Sequence, residues 1–150
     1  MRFINGDLSN CRFERPLVAF AEIARSRLTG STFEDGEIRN TIFSSSKLDL
    51  SSFRYCKLFN CQFVKCSLRE VDWQGAELNA VSFLECDLSG SQFSQASFDK
   101  ADLRSSSIGG AAFSLENLRG LIAEPSQCAI FATMLGVTVA DPIYPDTEMG

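Results

Sequence analysis

Large apolar residues recur at every fifth position from Phe3 to Leu118, giving 24 consecutive matches without a break. Two residues before most of them stands a small residue, as at Cys56, Ala76 and Ala101, and the other three positions are mainly polar. An α-helix repeats every 3.6 residues and a β-strand every two, so a period of five predicts a backbone that turns a corner once per unit. The chain is therefore predicted to form a solenoid in which each turn buries its apolar residues against the next.

Individual units give this pattern a family resemblance. Ala76-Glu77-Leu78-Asn79-Ala80 and Ala101-Asp102-Leu103-Arg104-Ser105 resemble pentapeptide repeats, whose signature is A-(D/N)-L-x-x. The resemblance implies the fold of that family, an all-β, right-handed quadrilateral β-helix with four pentapeptides per turn. Twenty residues would then make one coil, and residues 1–120 would form about six coils.

The inward residues sort into four columns when the chain is ordered on a 20-residue period. Large rings fill two opposed columns and aliphatic side chains fill the other two, which would pack a square interior without voids. The first ring column is predicted to be Phe13, Phe33, Phe53, Trp73, Phe93 and Phe113. The opposite column is Phe3, Ile23, Phe43, Phe63, Phe83 and Leu103, and the aliphatic columns begin at Leu8 and Val18.

Composition favours a single domain, because 150 residues that are 45% hydrophobic can bury a sizeable core. No apolar run is long enough to span a membrane. Met1 falls at the small inward position of the first unit, so we expect the amino terminus to belong to the fold, with no leader segment. These features predict a cytoplasmic protein without a membrane or nucleic-acid partner.

Cysteine placement and the absence of histidine argue against catalytic chemistry. Five cysteines fall in the small inward slot, namely Cys11, Cys56, Cys61, Cys66 and Cys86. Such residues behave as small buried hydrophobes. Cys66 and Cys86 should stack on successive coils within disulfide range, and whether they oxidise stays open. Because the chain has no histidine, no metal-ligand cluster and no glycine-rich phosphate loop, we predict neither an enzyme, a metal site nor a cofactor.

The five-residue pattern stops after Leu118. Pro125 to Gly136 predicts a short helix with proline in its first turn and glycine just past its end. Its apolar surface is wider than one terminal coil needs, so we expect it both to cap the last coil and to join two copies of the chain. The predicted dimer contact is Cys128, Ile130, Phe131, Met134 and Leu135. With a short strand at 137–139, residues 121–141 would form the cap and residues 142–150 a flexible tail.

The carboxy-terminal segment resembles that of one group within the pentapeptide repeat family. Asn117-Leu118-Arg119-Gly120-Leu121, the proline-started helix and Leu135-Gly136-Val137 are similar to the end of the topoisomerase-protecting pentapeptide proteins, which confer fluoroquinolone or albicidin resistance. In that group this segment joins two rods end to end, and the dimer mimics DNA in the saddle of gyrase. The resemblance implies a homodimer that binds DNA gyrase or topoisomerase IV and protects it from inhibitors such as fluoroquinolones.

Charge is distributed unevenly along the chain. Residues 1–69 carry 11 Lys and Arg against 7 Asp and Glu, whereas residues 70–102 carry 7 acids against Lys100 alone. These acidic coils would flank the centre of a dimer joined through the cap, where their fields would add. The candidate partner-binding residues are Asp72, Glu77, Glu85, Asp87, Asp99 and Asp102.

A second hypothesis comes from a different functional class. Apolar residues at nominally outward positions could let a rigid scaffold bind an unrelated protein, and they are Leu17, Phe20, Phe59, Val64 and Leu84. The stretch from Arg15 to Ala21 is the most unusual, because Pro16 fills the small slot. Proline and the nearby arginines could instead blunt the open edge of the first coil, so the role of Leu17 to Phe20 stays open.

Overall fold

The computed structural model describes residues 1–146, and residues 1–120 wind into a four-sided β-helix of about six turns. Neighbouring coils pair in parallel with a constant offset of 20 residues, so that Phe3 lies beside Ile23 and Leu58 beside Leu78. The coil and the short α-helix that follows it confirm the predicted fold class.

Most strands are short because each straight segment holds only one pentapeptide. They are β1 (Arg2–Ile4), β2 (Leu17–Ala19), β3 (Glu22–Ala24), β4 (Glu37–Arg39), β5 (Ile42–Ser44), β6 (Lys57–Val64), β7 (Glu77–Leu84), β8 (Gln92–Phe93) and β9 (Ala112–Phe113). A 3-10 helix covers Leu115–Asn117, and helix α1 covers Pro125–Met134. Only β6 and β7 run on through a corner, and each spans two sides of the coil.

Every corner except the one at Leu115 is made by a residue with positive φ, two positions after the inward apolar residue. Within residues 1–146 this conformation occurs at 18 non-glycine residues, including Phe20 at 53° and Leu50 at 61°. It costs an L-residue on the order of 1–2 kcal/mol, so the coil contains repeated local strain. The corners also pair with the next coil, as when the Phe20 N–H donates to the Arg39 carbonyl at 3.1 Å.

The interior is filled by the columns of rings. Successive rings from Phe13 to Phe113 stack with centroids 4.5–5.8 Å apart. The two ring columns meet edge to face across the interior, as between Phe53 and Phe63 at 6.2 Å. Side chains of the middle coils are fully buried, whereas the inward residues of the first coil are only half-buried.

Helix α1 seals the far end of the coil. Phe131 is 9% exposed and meets the ring of Phe113 edge to face at 4.9 Å. The buried amide of Gln127 donates to the carbonyls of Leu103 and Ser106 at 2.6 and 2.8 Å. The cap therefore satisfies backbone groups of the last coil as well as covering its apolar end.

The segment after α1 differs from expectation. The predicted strand at 137–139 is not formed; Val137 instead belongs to the turn that ends α1, where its N–H donates to the Ala132 carbonyl at 3.0 Å. Residues 142–146 adopt neither helix nor strand. Residues 147–150 of the predicted tail lie outside the described residues.

Candidate interaction surfaces

The coil presents four flat walls to its surroundings. We number them by the inward column behind each one: wall 1 covers the Phe3 column, wall 2 the Leu8 column, wall 3 the Phe13 column and wall 4 the Val18 column. Walls 4 and 1 are joined by β6 and β7, which cross the corner between them as unbroken strands. Outward side chains on one wall form ladders spaced 20 residues apart.

The six predicted acidic residues are divided among all four walls. Asp72 lies on wall 3 and Asp87 on wall 2, and the others form the pair Glu85 and Asp102 on wall 1 and the pair Glu77 and Asp99 on wall 4. The structure therefore places them in the same coils but not on one face. It brings Glu77 and Asp99 together, since both line one groove of about 260 Å³ on wall 4.

Four of the six acids pair with basic side chains. Asp72 lies 3.6 Å from Arg54, Asp87 3.8 Å from Arg69, and Glu85 4.0 Å from Lys65. Asp102 makes the tightest pair, with 2.7 Å between its carboxylate and the Arg104 guanidinium. Within residues 1–146, Glu77 and Asp99 make no ion pair, so they contribute the unpaired acidic charge of this set.

Two of these carboxyl groups have lowered pKa values. The hydrogen bond from Arg104 holds the pKa of Asp102 below its ordinary value, and the Arg104 charge adds to the effect. Partial burial opposes the shift at Asp87, but hydrogen bonds from Ser89 and the charge of Arg69 still lower its pKa. Both groups are therefore more firmly ionised than free aspartate, although their charge is shared with a cation.

The predicted dimer residues divide between the core and the surface. Phe131 faces the last coil, and Ile130 is half-buried against the same core. Leu135 is 68% exposed, and Met134 and Cys128 are also exposed. The helix surface open to a partner is consequently smaller than the sequence indicated. A dimer through this cap stays a prediction.

Exposed apolar side chains cluster on walls 4 and 1. Ile42, Phe59 and Leu84 are 44%, 43% and 39% exposed, and Val64 is half-exposed beside Leu84. All four lie on the sheet containing β5, β6 and β7, and we call them the apolar patch. The guanidinium of Arg39 lies over the Phe59 ring at 5.6 Å, so a cation borders the patch. Ile42 is not among the residues predicted from the sequence. Its apolar side chain at an outward position, one residue before inward Phe43, is the signal that indicates it.

The first coil forms a second exposed apolar region. Leu17 and Phe20 are both largely exposed, and nothing in the described chain covers them. Pro16 lies close to Gly36 on the next coil, where a side chain at Gly36 would collide with the proline ring. This glycine explains how the coil accommodates proline in the small slot.

The six cysteines are free thiols. Burial raises the pKa of Cys56 to about 12, and contact with Cys66 and burial raise the pKa of Cys86. Cys61, Cys66 and Cys86 each lie within hydrogen-bonding distance of a carbonyl of the preceding coil. Cys61, Cys66 and Cys86 therefore fill the small slot and also find a hydrogen-bond acceptor there.

Two further features of residues 1–146 bear on the kind of site this chain offers. No group of three or more His, Cys, Asp or Glu side chains there could hold a metal ion. In the same range, no helix is long and apolar enough to cross a membrane.

The sequence model of one protein family, the pentapeptide repeat region, matches residues 18–93 and 56–126, which together cover most of the chain. The chain belongs to the pentapeptide repeat family. No curated protein matches it.

Solved structures of the family resemble the chain at low identity. One is HetL, involved in heterocyst differentiation regulation in the cyanobacterium Nostoc sp. strain PCC 7120, with 15% identity, 78% of this chain and 67% of that chain covered, and a TM-score of 0.47. A pentapeptide repeat protein from the Arabidopsis thaliana thylakoid lumen gives 19% identity, 95% and 82% coverage, and a TM-score of 0.45. QnrB1, a plasmid-mediated fluoroquinolone resistance protein, gives 15% identity, 91% and 100% coverage, and a TM-score of 0.25.

Proposed function

We propose that this pentapeptide repeat protein is a non-catalytic binding module that holds a partner protein against walls 4 and 1. The observation that carries the proposal is the apolar patch on the sheet that includes β6 and β7. A flat surface built on a rigid solenoid is already ordered before binding, so little conformational entropy is lost when a partner docks. Apolar and aromatic side chains bordered by a cation are also typical of the centre of protein interfaces.

The other walls do not offer a comparable surface. Outward positions on wall 2 hold mainly Ser, Asp, Arg and Gly, and those on wall 3 mainly Ser, Gln, Glu and Arg. The large exposed apolar residues there are Leu50 and Tyr55, one on each wall. The difference between walls therefore favours the side that carries β6 and β7.

The test compares the partners that three full-length variants retain from a lysate of the source cells. Phe59→Asp with Leu84→Asp changes the patch, Leu50→Asp changes an exposed leucine on another wall, and the third variant leaves the patch intact by changing only Glu77→Gln and Asp99→Asn. We expect a partner protein that is retained both by Leu50→Asp and by the variant with Glu77→Gln and Asp99→Asn. Once purified, this partner should bind the variant with Phe59→Asp and Leu84→Asp at least about tenfold more weakly. Equal binding to all variants would exclude the patch.

A second candidate function is supported by the charge distribution. Residues 70–102 carry an excess of acids close to the cap, and Glu77 and Asp99 on wall 4 make no ion pair with any residue of the described range 1–146. On this proposal a cytoplasmic homodimer, joined through the exposed part of α1, occupies the DNA-binding saddle of gyrase or topoisomerase IV and protects it from fluoroquinolones. Phosphate-like carboxylates would then compete with DNA for the same basic residues.

A supercoiling assay separates this candidate from the first one. Purified protein should inhibit gyrase or rescue it from a fluoroquinolone, Glu77→Lys with Asp99→Lys should abolish the effect, and Phe59→Asp should leave it unchanged. Inhibition should also fall steeply as salt rises, because exposed charges are screened. No effect at micromolar protein would exclude the topoisomerase proposal and leave the apolar patch untouched.

A further inference from the structure

The segment that follows α1 contains two pentapeptide-like units of its own. In Val137-Thr138-Val139-Ala140-Asp141 and Pro142-Ile143-Tyr144-Pro145-Asp146, Val139 and Tyr144 occupy the large position and Val137 and Pro142 the small slot. These units are one residue out of step with the series from Phe3 to Leu118, so they do not continue their own coil. Ile143 and Tyr144 are 94% and 82% exposed, and the segment is in neither helix nor strand.

At the opposite end of the molecule, residues 11–20 form the second half of the first coil, and no coil within residues 1–146 pairs with its outer edge. We call this half coil the open rung. In later coils, the residue before the inward one donates its N–H to the preceding coil, as Thr32 does to the Cys11 carbonyl at 3.0 Å. The equivalent groups of Arg12 and Leu17 have no preceding coil among the described residues. The inward side chains of this half coil, Phe13 and Val18, are only half-buried. This end therefore offers both unpaired backbone groups and uncovered apolar surface.

Both prolines of the segment fall at positions whose N–H is not donated to the next coil, because a coil donates to the next one from its inward and corner residues, as Phe13 and Tyr55 do to the Thr32 and Gln74 carbonyls. The small-slot N–H bonds within its own corner, as Ser31 N–H does to the Leu28 carbonyl at 3.1 Å. The residue after the inward one contributes its carbonyl instead: the Gln74 carbonyl accepts from Tyr55 at 2.9 Å, while the Gln74 N–H bonds to Asp72. Pro142 and Pro145 occupy these two positions, and Pro16 already shows that the small slot accepts proline.

We propose that residues 137–146 of one molecule add as half a coil beneath residues 11–20 of a second copy of the chain. In this register Val139 covers Phe13, Tyr144 covers Val18, and Ile143 lies beside exposed Leu17. The mode is parallel strand addition to an open edge, in which backbone hydrogen bonds supply affinity and alternate side chains supply register.

Charge favours this register, and length favours a second copy as the source of the strand. Asp141 would lie beside Arg15, and the chain after Arg119 contains no Lys or Arg to oppose this pairing. The first and sixth coils are separated by roughly 24 Å at a strand spacing of about 4.8 Å. Ten extended residues span at most about 36 Å. A segment that needs this whole length to lie along the open rung cannot also reach the far end of its own molecule.

Disulfide trapping in the full-length chain tests the register. In a background with both Cys11→Ser and Cys128→Ser, which removes the native thiols nearest the proposed contact, Leu17→Cys and Ile143→Cys should lie on adjacent parallel strands, about 4.8 Å apart between Cα atoms and within disulfide range. Mild oxidation should yield disulfide-linked species between molecules. The control, Leu17→Cys with Thr138→Cys, places the second thiol five residues earlier, on the other side of the corner at Asp141 and about 16 Å away along the chain, and should not cross-link. Equal cross-linking of the two variants, or none in either, would overturn the proposal.

Sedimentation of the unmodified chain and its variants gives an independent readout. Tyr144→Asp should weaken self-association at least about tenfold, because the charge would lie in the apolar interior. Arg15→Glu should also weaken it, and adding Asp141→Arg should restore it. An association that Leu135→Asp abolishes and Tyr144→Asp leaves intact would instead assign self-association to α1 and overturn this inference.

Discussion

Leu50 shows at the scale of one residue how the coil tolerates local strain. Its φ is 61°, a conformation that β-carbon sterics disfavour, and its side chain is exposed. We expect Leu50→Gly to stabilise the fold by about 1 kcal/mol, because relief of this strain outweighs the added entropy of the unfolded chain. Lys47→Gly is the matched control on the same wall, and it should destabilise by about 0.5–1 kcal/mol. Urea unfolding measures both, and a loss of stability in both variants would contradict the strain argument.

Asp102 gives a pH-dependent prediction at the same scale. Its pKa in the folded state lies below the ordinary value of 3.8 because Arg104 stabilises the ionised form. Its contribution to stability is therefore fully present above pH 3.8 and is lost as pH falls through the lowered pKa of the folded state. The stability difference between the unmodified chain and Asp102→Asn should shrink between pH 5 and pH 2. Urea unfolding at several pH values tests this, and a constant difference would contradict it.

Helix α1 shows at the scale of an element that polar contacts matter as much as apolar cover. We expect Gln127→Leu to destabilise the cap by about 1–3 kcal/mol, because the carbonyls of Leu103 and Ser106 would be buried without donors. Amide exchange should then accelerate in α1 and the last coil, with little change in β6. Gln95→Ala is the control, since Gln95 is exposed on the coil. Unchanged exchange in α1 would show that the amide contacts are dispensable.

The elements also show which parts of the structure can be predicted from sequence. The coil follows from a five-residue period, because this spacing repeats 24 times and fits neither helix nor strand. The face of α1 that packs inward does not follow, since Phe131, Ile130 and Leu135 make the helix apolar on several sides. Corners at residues such as Phe20 are equally hidden, because only glycine and asparagine favour positive φ locally.

Ion pairing within the acidic coils does not follow from a count of charges along the sequence, because the partners lie far apart in the chain. Arg54 and Asp72, like Arg69 and Asp87, are 18 residues apart in sequence yet lie on adjacent coils. The 20-residue period that orders the apolar residues into columns also places the members of each pair on one wall of adjacent coils, so these pairs are predictable from sequence. A count of acids along the chain therefore overstates the charge that a partner meets.

The two ends of the whole molecule differ, and hydrogen exchange should detect the difference. Repeat proteins open from their ends, so amides of the half-buried first coil should exchange faster than those of β6 and β7, while α1 protects the last coil. If the 137–146 segment pairs with the first coil of another molecule, protection of residues 11–20 should rise with protein concentration. Exchange measured at low and high concentration, with Tyr144→Asp as the control, tests this gradient directly. Protection of residues 11–20 that stays the same at both concentrations, or that rises equally in Tyr144→Asp, would mean that the first coil remains open in solution.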